Sequence, residues 1–399
     1  MNVCITGIGC ISGIGNDVEA HLQAFRQGKS GLGKVTLFPT NHHVPVSEVK
    51  LSNEGLKERL GLPSSKVYSR TSLLGLSAAH EALKDSGVTI NSGLRIGLIS
   101  STSTGGMDVS ENHYPTFREN PTKGHLRYFA THDAGDSTEK IADHLGITGM
   151  RTTISTACSS AANSLLLAAR LIRQGILDVA IAGGTDALCK FTLNGFASLM
   201  ILDNEPCRPF DNTRAGLNLG EGAGYVVLQS EATIKRKPYA TLSGYANAND
   251  AYHQTASSAE GTGAFLAMKA ALCRAGVSPS QVDYINGHGT GTPNNDASES
   301  TAINRLFEGN IPPFSSTKAF TGHTLGAAGG IEAVFSVLSI EYGILYPNLN
   351  FSTPMEENGM IPVLTYKEGE QIENVLSNSF GFGGNNTSLL FQRYKSTLC

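Results

Sequence analysis

The chain has 399 residues, enough for two domains or one large two-lobed domain with a sizeable core. A charged fraction of 16% and a net charge of −4 fit an ordinary globular protein; they give no basic excess for nucleic acid, and no apolar run reaches the length of a membrane span. The seven cysteines are scattered and include no CxxC pair, which argues against a disulfide framework or zinc site and for a reducing cytoplasm.

The chain opens on an apolar strand over residues 3–7, without the charged segment and long apolar run of a signal peptide. The glycines of residues 6–15 imitate a dinucleotide fingerprint. The third is misplaced for GxGxxG and no suitable acid follows, so a structural turn is expected there. Apolar and small residues at helical spacing predict a helix over 73–84, followed by a strand over 95–100.

Residues 155–164, Ser-Thr-Ala-Cys-Ser-Ser-Ala-Ala-Asn-Ser, place Cys158 between a strand-like segment and a helix predicted over 160–174. Small flanking residues leave room for a substrate. The helix N-terminus offers free N–H groups and a positive dipole end, which favour thiolate and can receive an oxyanion. Strands are predicted over 179–183 and 224–229. The charged, proline-containing stretch near 230–240 marks a boundary between halves 1–235 and 236–399.

In the second half, a helix over 264–274 and a strand over 282–287 lead into Asn-Gly-His-Gly-Thr-Gly-Thr-Pro, residues 286–293. The flanking glycines leave the His288 imidazole open to a ligand, and Thr290 and Thr292 add hydroxyls at alternate positions. Residues 315–332 carry Lys318, His323 and Glu332, and run into a helix over 330–341; Lys318 and Glu332 are spaced to pair behind the histidine. Residues 378–386 alternate glycine with Phe380 and Phe382, a pattern suited to a hinge with a bulky gate. A strand over 389–393 closes the chain. Each motif has a bland alternative: a buried free thiol, a satisfied loop histidine, a solvated lysine, or phenylalanines packed on the core.

The alternation of strands and helices argues an α/β protein with a largely buried sheet. Residues 79–88 and 268–277 are similar, and each is followed by a strand. Two copies of one α/β unit would set the helix opening at Cys158 and the one opening after His323 in matching positions near the middle.

Taken together and in this order, the motifs resemble the elongating β-ketoacyl-acyl-carrier-protein synthases of the thiolase-like superfamily. Residues 178–186, 207–211 and 220–224 match as well, so the resemblance spans almost the whole chain. It implies a thiolase-like αβαβα layered fold from two similar halves, normally a homodimer, with a heterodimer of related subunits as the other arrangement. It implies decarboxylative Claisen condensation of an acyl thioester with a malonyl thioester on an acidic acyl carrier protein. No metal or redox cofactor is required, since the phosphopantetheine arrives on the carrier.

By the same resemblance, Cys158 is the acyl acceptor and His288 and His323 complete the catalytic triad. Lys318 and Glu332 support them. Phe382 is the gate, next to Phe380, and its N–H joins that of Cys158 in an oxyanion hole. Thr290 and Thr292 hold the phosphopantetheine arm. Val109 falls near a pocket position, and Lys66, Arg70, Arg127 and Arg208 are nominated for carrier docking. Departures at residues 214–222 and 384–386 put the acyl chain and pathway in doubt rather than the chemistry, leaving room for a specialised polyene or polyketide pathway.

Other readings fit less well. A thiolase would carry a second cysteine where Phe380–Asn386 stands, and an initiating synthase would pair cysteine with histidine and asparagine. A non-catalytic chain-length partner would typically lack the nucleophile, and a non-catalytic carrier-binding protein requires an inert Cys158.

Overall fold

The computed structural model describes residues 2–395; Met1 and Cys399 lie outside them. Their strands are β1 (Val3–Ser12), β2 (Leu32–Gly33), β3 (Val46–Ser47), β4 (Ile96–Ser101), β5 (Arg151–Ile154), β6 (Val179–Asp186), β7 (Gly222–Ser230), β8 (Ala240–Asn249), β9 (Tyr284–Asn286), β10 (Phe314–Ser315), β11 (Asn374–Gly381) and β12 (Asn385–Arg393). β2 pairs only with β3. The others run in the order β10-β9-β11-β12-β8-β1-β7-β6-β4-β5.

Two residue pairs alone, Cys4 with Thr241 and Ile5 with Ala240, join β1 to β8. On either side of that seam the topology repeats. β1-β7-β6-β4-β5 mirrors β8-β12-β11-β9-β10, with the two contacts nearest the seam antiparallel and the outer two parallel in both. The chain is thus built from two similar α/β halves.

Helices Ser160–Arg173 and Ala328–Tyr342 lie between the halves, while Arg70–Ser86 and Thr262–Ala275 cover the outer faces. The layering follows from composition. In 328–342 every residue from Ala328 to Ile340 is buried, because this stretch, Glu332 apart, is apolar or small on all sides and meets strands of both halves. The stretch Leu325–Tyr342 is long and apolar enough to cross a membrane, yet most of it is buried inside the fold. The 70–86 helix is stopped at each end by its own chemistry: the Ser69 hydroxyl accepts the Ser72 N–H, and Gly87 takes a left-handed conformation at φ 66°.

The first strand is longer than its sequence suggests and runs through most of the expected 6–15 turn. Only Ser12 to Gly15 turns back, with Ser12 N donating to Gly15 O at 2.9 Å. Gly7 and Gly9 serve packing instead. A Cβ on either would overlap the Ala82 or Ala78 carbonyl of the 70–86 helix, so their absence lets that helix lie flat on β1.

Candidate active site

After β5 the chain turns through Ala157, whose φ of +52° is rare for a residue with a side chain, and delivers Cys158 just ahead of the 160–173 helix. The end of β11 passes over this turn. A Cβ on Gly381 would lie 2.9 Å from Thr156 O and 3.2 Å from Cys158 N, closer than packing tolerates. Gly381 is therefore part of how the sulfur is seated.

His323 arrives from the second half beside β7's leading segment, its N–H donating to Asn218 O at 2.7 Å. Its Nε2 stands 2.9 Å from Cys158 Sγ. His288 follows β9, and its ring centroid is 5.4 Å from that of His323, nearly perpendicular at 85°. Its backbone is clamped from behind: Glu299 accepts the N–H groups of His288 and Gly289, both at 2.8 Å, and Asp296 accepts that of Thr290 at 3.0 Å. Lys318 Nζ donates to His288 O at 2.6 Å, to Glu332 Oε1 at 2.5 Å, and reaches His288 Nδ1 at 3.3 Å. The ammonium has no lone pair, so Nδ1 accepts and the proton of the neutral ring sits on Nε2.

Burial dominates the electrostatics. It pushes the Cys158 thiol up to about 11, against the opposing pull of Lys318 and the Phe382 backbone N–H. It holds both imidazoles well below their ordinary range, and the nearby Lys318 charge adds to the effect. Burial also lifts the Glu299 carboxyl to about 7. Burial therefore works against charge on the thiol and on both rings. At Cys158 this desolvation opposes the thiolate-favouring helix N-terminus and the nearby Lys318 charge.

These groups form the base of a cavity of about 330 Å³, also lined by Thr290, Thr292, Phe380 and Phe382. The donor atoms of Cys158, His288 and His323 lie within 4.8 Å of one another. Two ligands of a tetrahedral zinc stand roughly 3.5 Å apart. The 2.9 Å between sulfur and Nε2 is instead a direct contact.

The chain's relatives agree with this architecture. A family model for the β-ketoacyl synthase N-terminal domain matches residues 1–233, and one for the C-terminal domain matches residues 239–352. The chain belongs to the β-ketoacyl synthase family. It is 34% identical over 410 residues to 3-oxoacyl-[acyl-carrier-protein] synthase 2 of Staphylococcus aureus (strain MRSA252), with 99% of each chain covered. Among solved structures it is similar to the ishigamide ketosynthase/chain length factor, at TM-score 0.92, 30% identity and 99% coverage of both chains. It also matches a chain of AntDE:AntF, a type II PKS acyl-carrier protein in complex with its ketosynthase bound to the hexaketide, at TM-score 0.86 and 27% identity over 98% of this chain and 99% of that one.

In this ketoacyl synthase, Thr290 and Thr292 share a hydrogen bond of 2.9 Å between hydroxyls at the cavity wall. Phe382 is half-buried and stacks on Phe196, with centroids 5.9 Å apart. Phe380 is buried with its ring centroid 5.9 Å from that of His288. Val109, on the helix Met107–Glu119, does not line this cavity.

The docking candidates divide. Lys66 and Arg127 are exposed. Arg208 is half-buried beside the threonine loop and pairs with Asp203 at 3.0 Å. Arg70 is wrongly nominated. It is 4% exposed, grips both oxygens of Glu221 at 2.6 and 2.8 Å, and donates to the Val49 and Leu51 carbonyls, so an internal strut occupies its whole guanidinium.

Sequence reasoning missed Asp296, Glu299, Gly381 and Asn385. Asn385 Oδ1 collects Ser159 Oγ at 2.8 Å, Asn163 Nδ2 at 3.0 Å and Asn247 Nδ2 at 2.6 Å, tying the end of the Phe382 turn to the nucleophile helix. The acids carried a faint signal, since carboxylates just after a glycine-rich histidine turn are placed to cap its N–H groups. Asn385 showed only as a departure from the family pattern.

Proposed function

We propose that this β-ketoacyl synthase elongates an acyl chain on an acyl carrier protein by decarboxylative condensation, with Cys158 as the acyl acceptor. The 2.9 Å approach of His323 Nε2 to the sulfur, beneath a cavity open to a thioester, carries the reading. Sulfur attacks the acyl thioester carbonyl, the C–S bond to the carrier breaks, and the proton lost by the Cys158 thiol is taken up by the departing carrier thiolate. Backbone N–H groups of Cys158 and Phe382 receive the transient oxyanion. Malonyl thioester then enters along Thr290 and Thr292. Its C–C bond breaks, carbon dioxide leaves, and the electron pair becomes an enolate whose oxygen takes hydrogen bonds from His288 and His323 Nε2. The carbanion attacks the acyl-Cys158 carbonyl, the C–S bond breaks with its electron pair going to Cys158 sulfur, which takes up a proton from solvent, and the β-ketoacyl product stays on the carrier.

The Lys318 contact supports the donor role of His288, because it leaves the Nε2–H aimed into the cavity. At His323, Nδ1 is buried without a partner, and an orphaned N–H is rarer than an orphaned acceptor, which favours the proton on Nε2 there too. No metal or redox cofactor is needed for this chemistry. Carrier docking falls to Arg208 beside the threonine loop, with Lys66 and Arg127 as further charges. A second copy of this chain is the proposed dimer partner. The open edge of β5 and the exposed Met150 beside it support a partner there, while the similarity to a ketosynthase/chain length factor favours a related subunit as the second reading. Cys4, Cys10, Cys158, Cys189 and Cys207 are buried and free, which suits a reducing cytoplasm.

Intact-mass analysis with a panel of acyl carriers tests the reading. The acyl adduct should map to Cys158 and vanish in Cys158→Ala, and His323→Ala should keep acyl transfer but lose condensation. Full turnover by Cys158→Ala would overturn the assignment.

A further inference from the structure

At the far end of the 160–173 helix from Cys158, roughly 20 Å away along its axis, a separate cavity of about 470 Å³ opens between the two halves. Arg173, the last residue of that helix, and Arg274, in the last turn of 262–275, both face it. Their guanidinium carbons stand 5.1 and 4.7 Å from the centroid of one ring, Tyr245. Neither has a carboxylate partner among the described residues. Arg173 spends one nitrogen on Ser243 O at 2.8 Å, while its Nε is buried with no partner at all. The nearby Glu231 is engaged by Asn2 at 3.0 Å and Tyr394 at 3.3 Å.

Two like charges crowded on one ring repel each other. The π face and the helix C-termini offset part of that cost, but they leave the guanidinium N–H groups unmatched. Thr241 and Ser243 add hydroxyls 2.9 Å apart, and Gln392 lines the same wall. We propose that this cavity binds the phosphate group of a small organic phosphomonoester. Two planar forks and two hydroxyls suit the several acceptor oxygens of a tetrahedral oxyanion better than the two of a carboxylate. The cavity also exceeds the volume of phosphate alone, leaving space for an organic body.

Calorimetric titration of the full chain with inorganic phosphate and with adenosine 5′-monophosphate tests this. Both should bind, and Arg274→Gln and Arg173→Gln should each weaken them about tenfold or more. Arg274 is exposed, so its variant should keep its thermal unfolding profile and its condensing activity. Arg274→Lys should keep part of the affinity. Tighter binding of the nucleotide supports an organic phosphate; equal affinity for both assigns the site to free phosphate and overturns the organic ligand. Absence of binding at millimolar concentration, or affinity unchanged in Arg274→Gln, overturns the site itself.

Discussion

Replacing Lys318 by methionine separates two jobs that one ammonium performs. Lys318 is 2% exposed and Glu332 3%. Removing one partner of such a pair leaves a buried carboxylate unmatched, at a cost of about 3–5 kcal/mol. Glu332 is already pushed up by burial, and Lys318 is the main force pulling it down. In the variant the carboxyl therefore holds its proton to higher pH in the folded state than in the unfolded one. The stability deficit should grow as pH rises above the unfolded carboxyl range. The same substitution frees His288 Nδ1, so the ring is no longer held with its proton on Nε2. Loss of one oxyanion donor costs about 10²- to 10³-fold in rate.

The double variant Lys318→Met/Glu332→Leu removes both charges and should recover most of the stability, since apolar replacement of a buried pair is often neutral. It should not recover decarboxylation. Denaturant unfolding at several pH values, with carbon dioxide release and acyl-adduct formation measured separately, reads both effects. If the double variant regains decarboxylation together with stability, Lys318 acts only as the counter-ion of Glu332 and the tautomer reasoning fails.

Three further outcomes follow from the same geometry. Gly381→Ala should cost about 1–3 kcal/mol and slow acyl-adduct formation more than carbon dioxide release, because its methyl presses on Thr156 O and Cys158 N; equal slowing of both would contradict this. Asn385→Ala should remove the acceptor that Ser159, Asn163 and Asn247 share, lowering stability by about 1 kcal/mol and raising hydrogen exchange through residues 382–384; unchanged exchange would mean that the turn is held elsewhere. His21 is wholly buried against Ser12 Oγ at 2.8 Å and Asp17 O at 2.7 Å, and burial lowers it to about 4. A lowered base contributes stability above its unfolded value, and that stability is lost as pH falls from about 6.5 toward 4, by about 3 kcal/mol. His21→Gln should flatten the melting temperature over that interval.

The helices over 70–86, 160–173, 262–275 and 328–342 were legible to within a few residues, because their small and apolar residues recur at helical spacing. β1 was read too short because Gly7 and Gly9 look like turn formers. In the fold they are extended, and the helix lying on them is what requires glycine. The expected strand over 282–287 shrinks to Tyr284–Asn286, since only those residues find parallel partners in β10 and β11. Arg70 failed as a docking residue because its neighbour Glu221 is 151 positions away, and no local pattern distinguishes a buried arginine from a solvated one.

By itself, the order of motifs determined the family, the repeated α/β plan and the residues able to do chemistry. These are properties of local spacing and residue type. Tertiary structure decided the surroundings of each of these groups. Burial works against charge on Cys158 and on both rings, Lys318 Nζ faces His288 Nδ1, and Asp296, Glu299 and Asn385 hold the loops. Such effects depend on what surrounds a group after folding, and those surroundings are assembled from segments up to 226 residues apart.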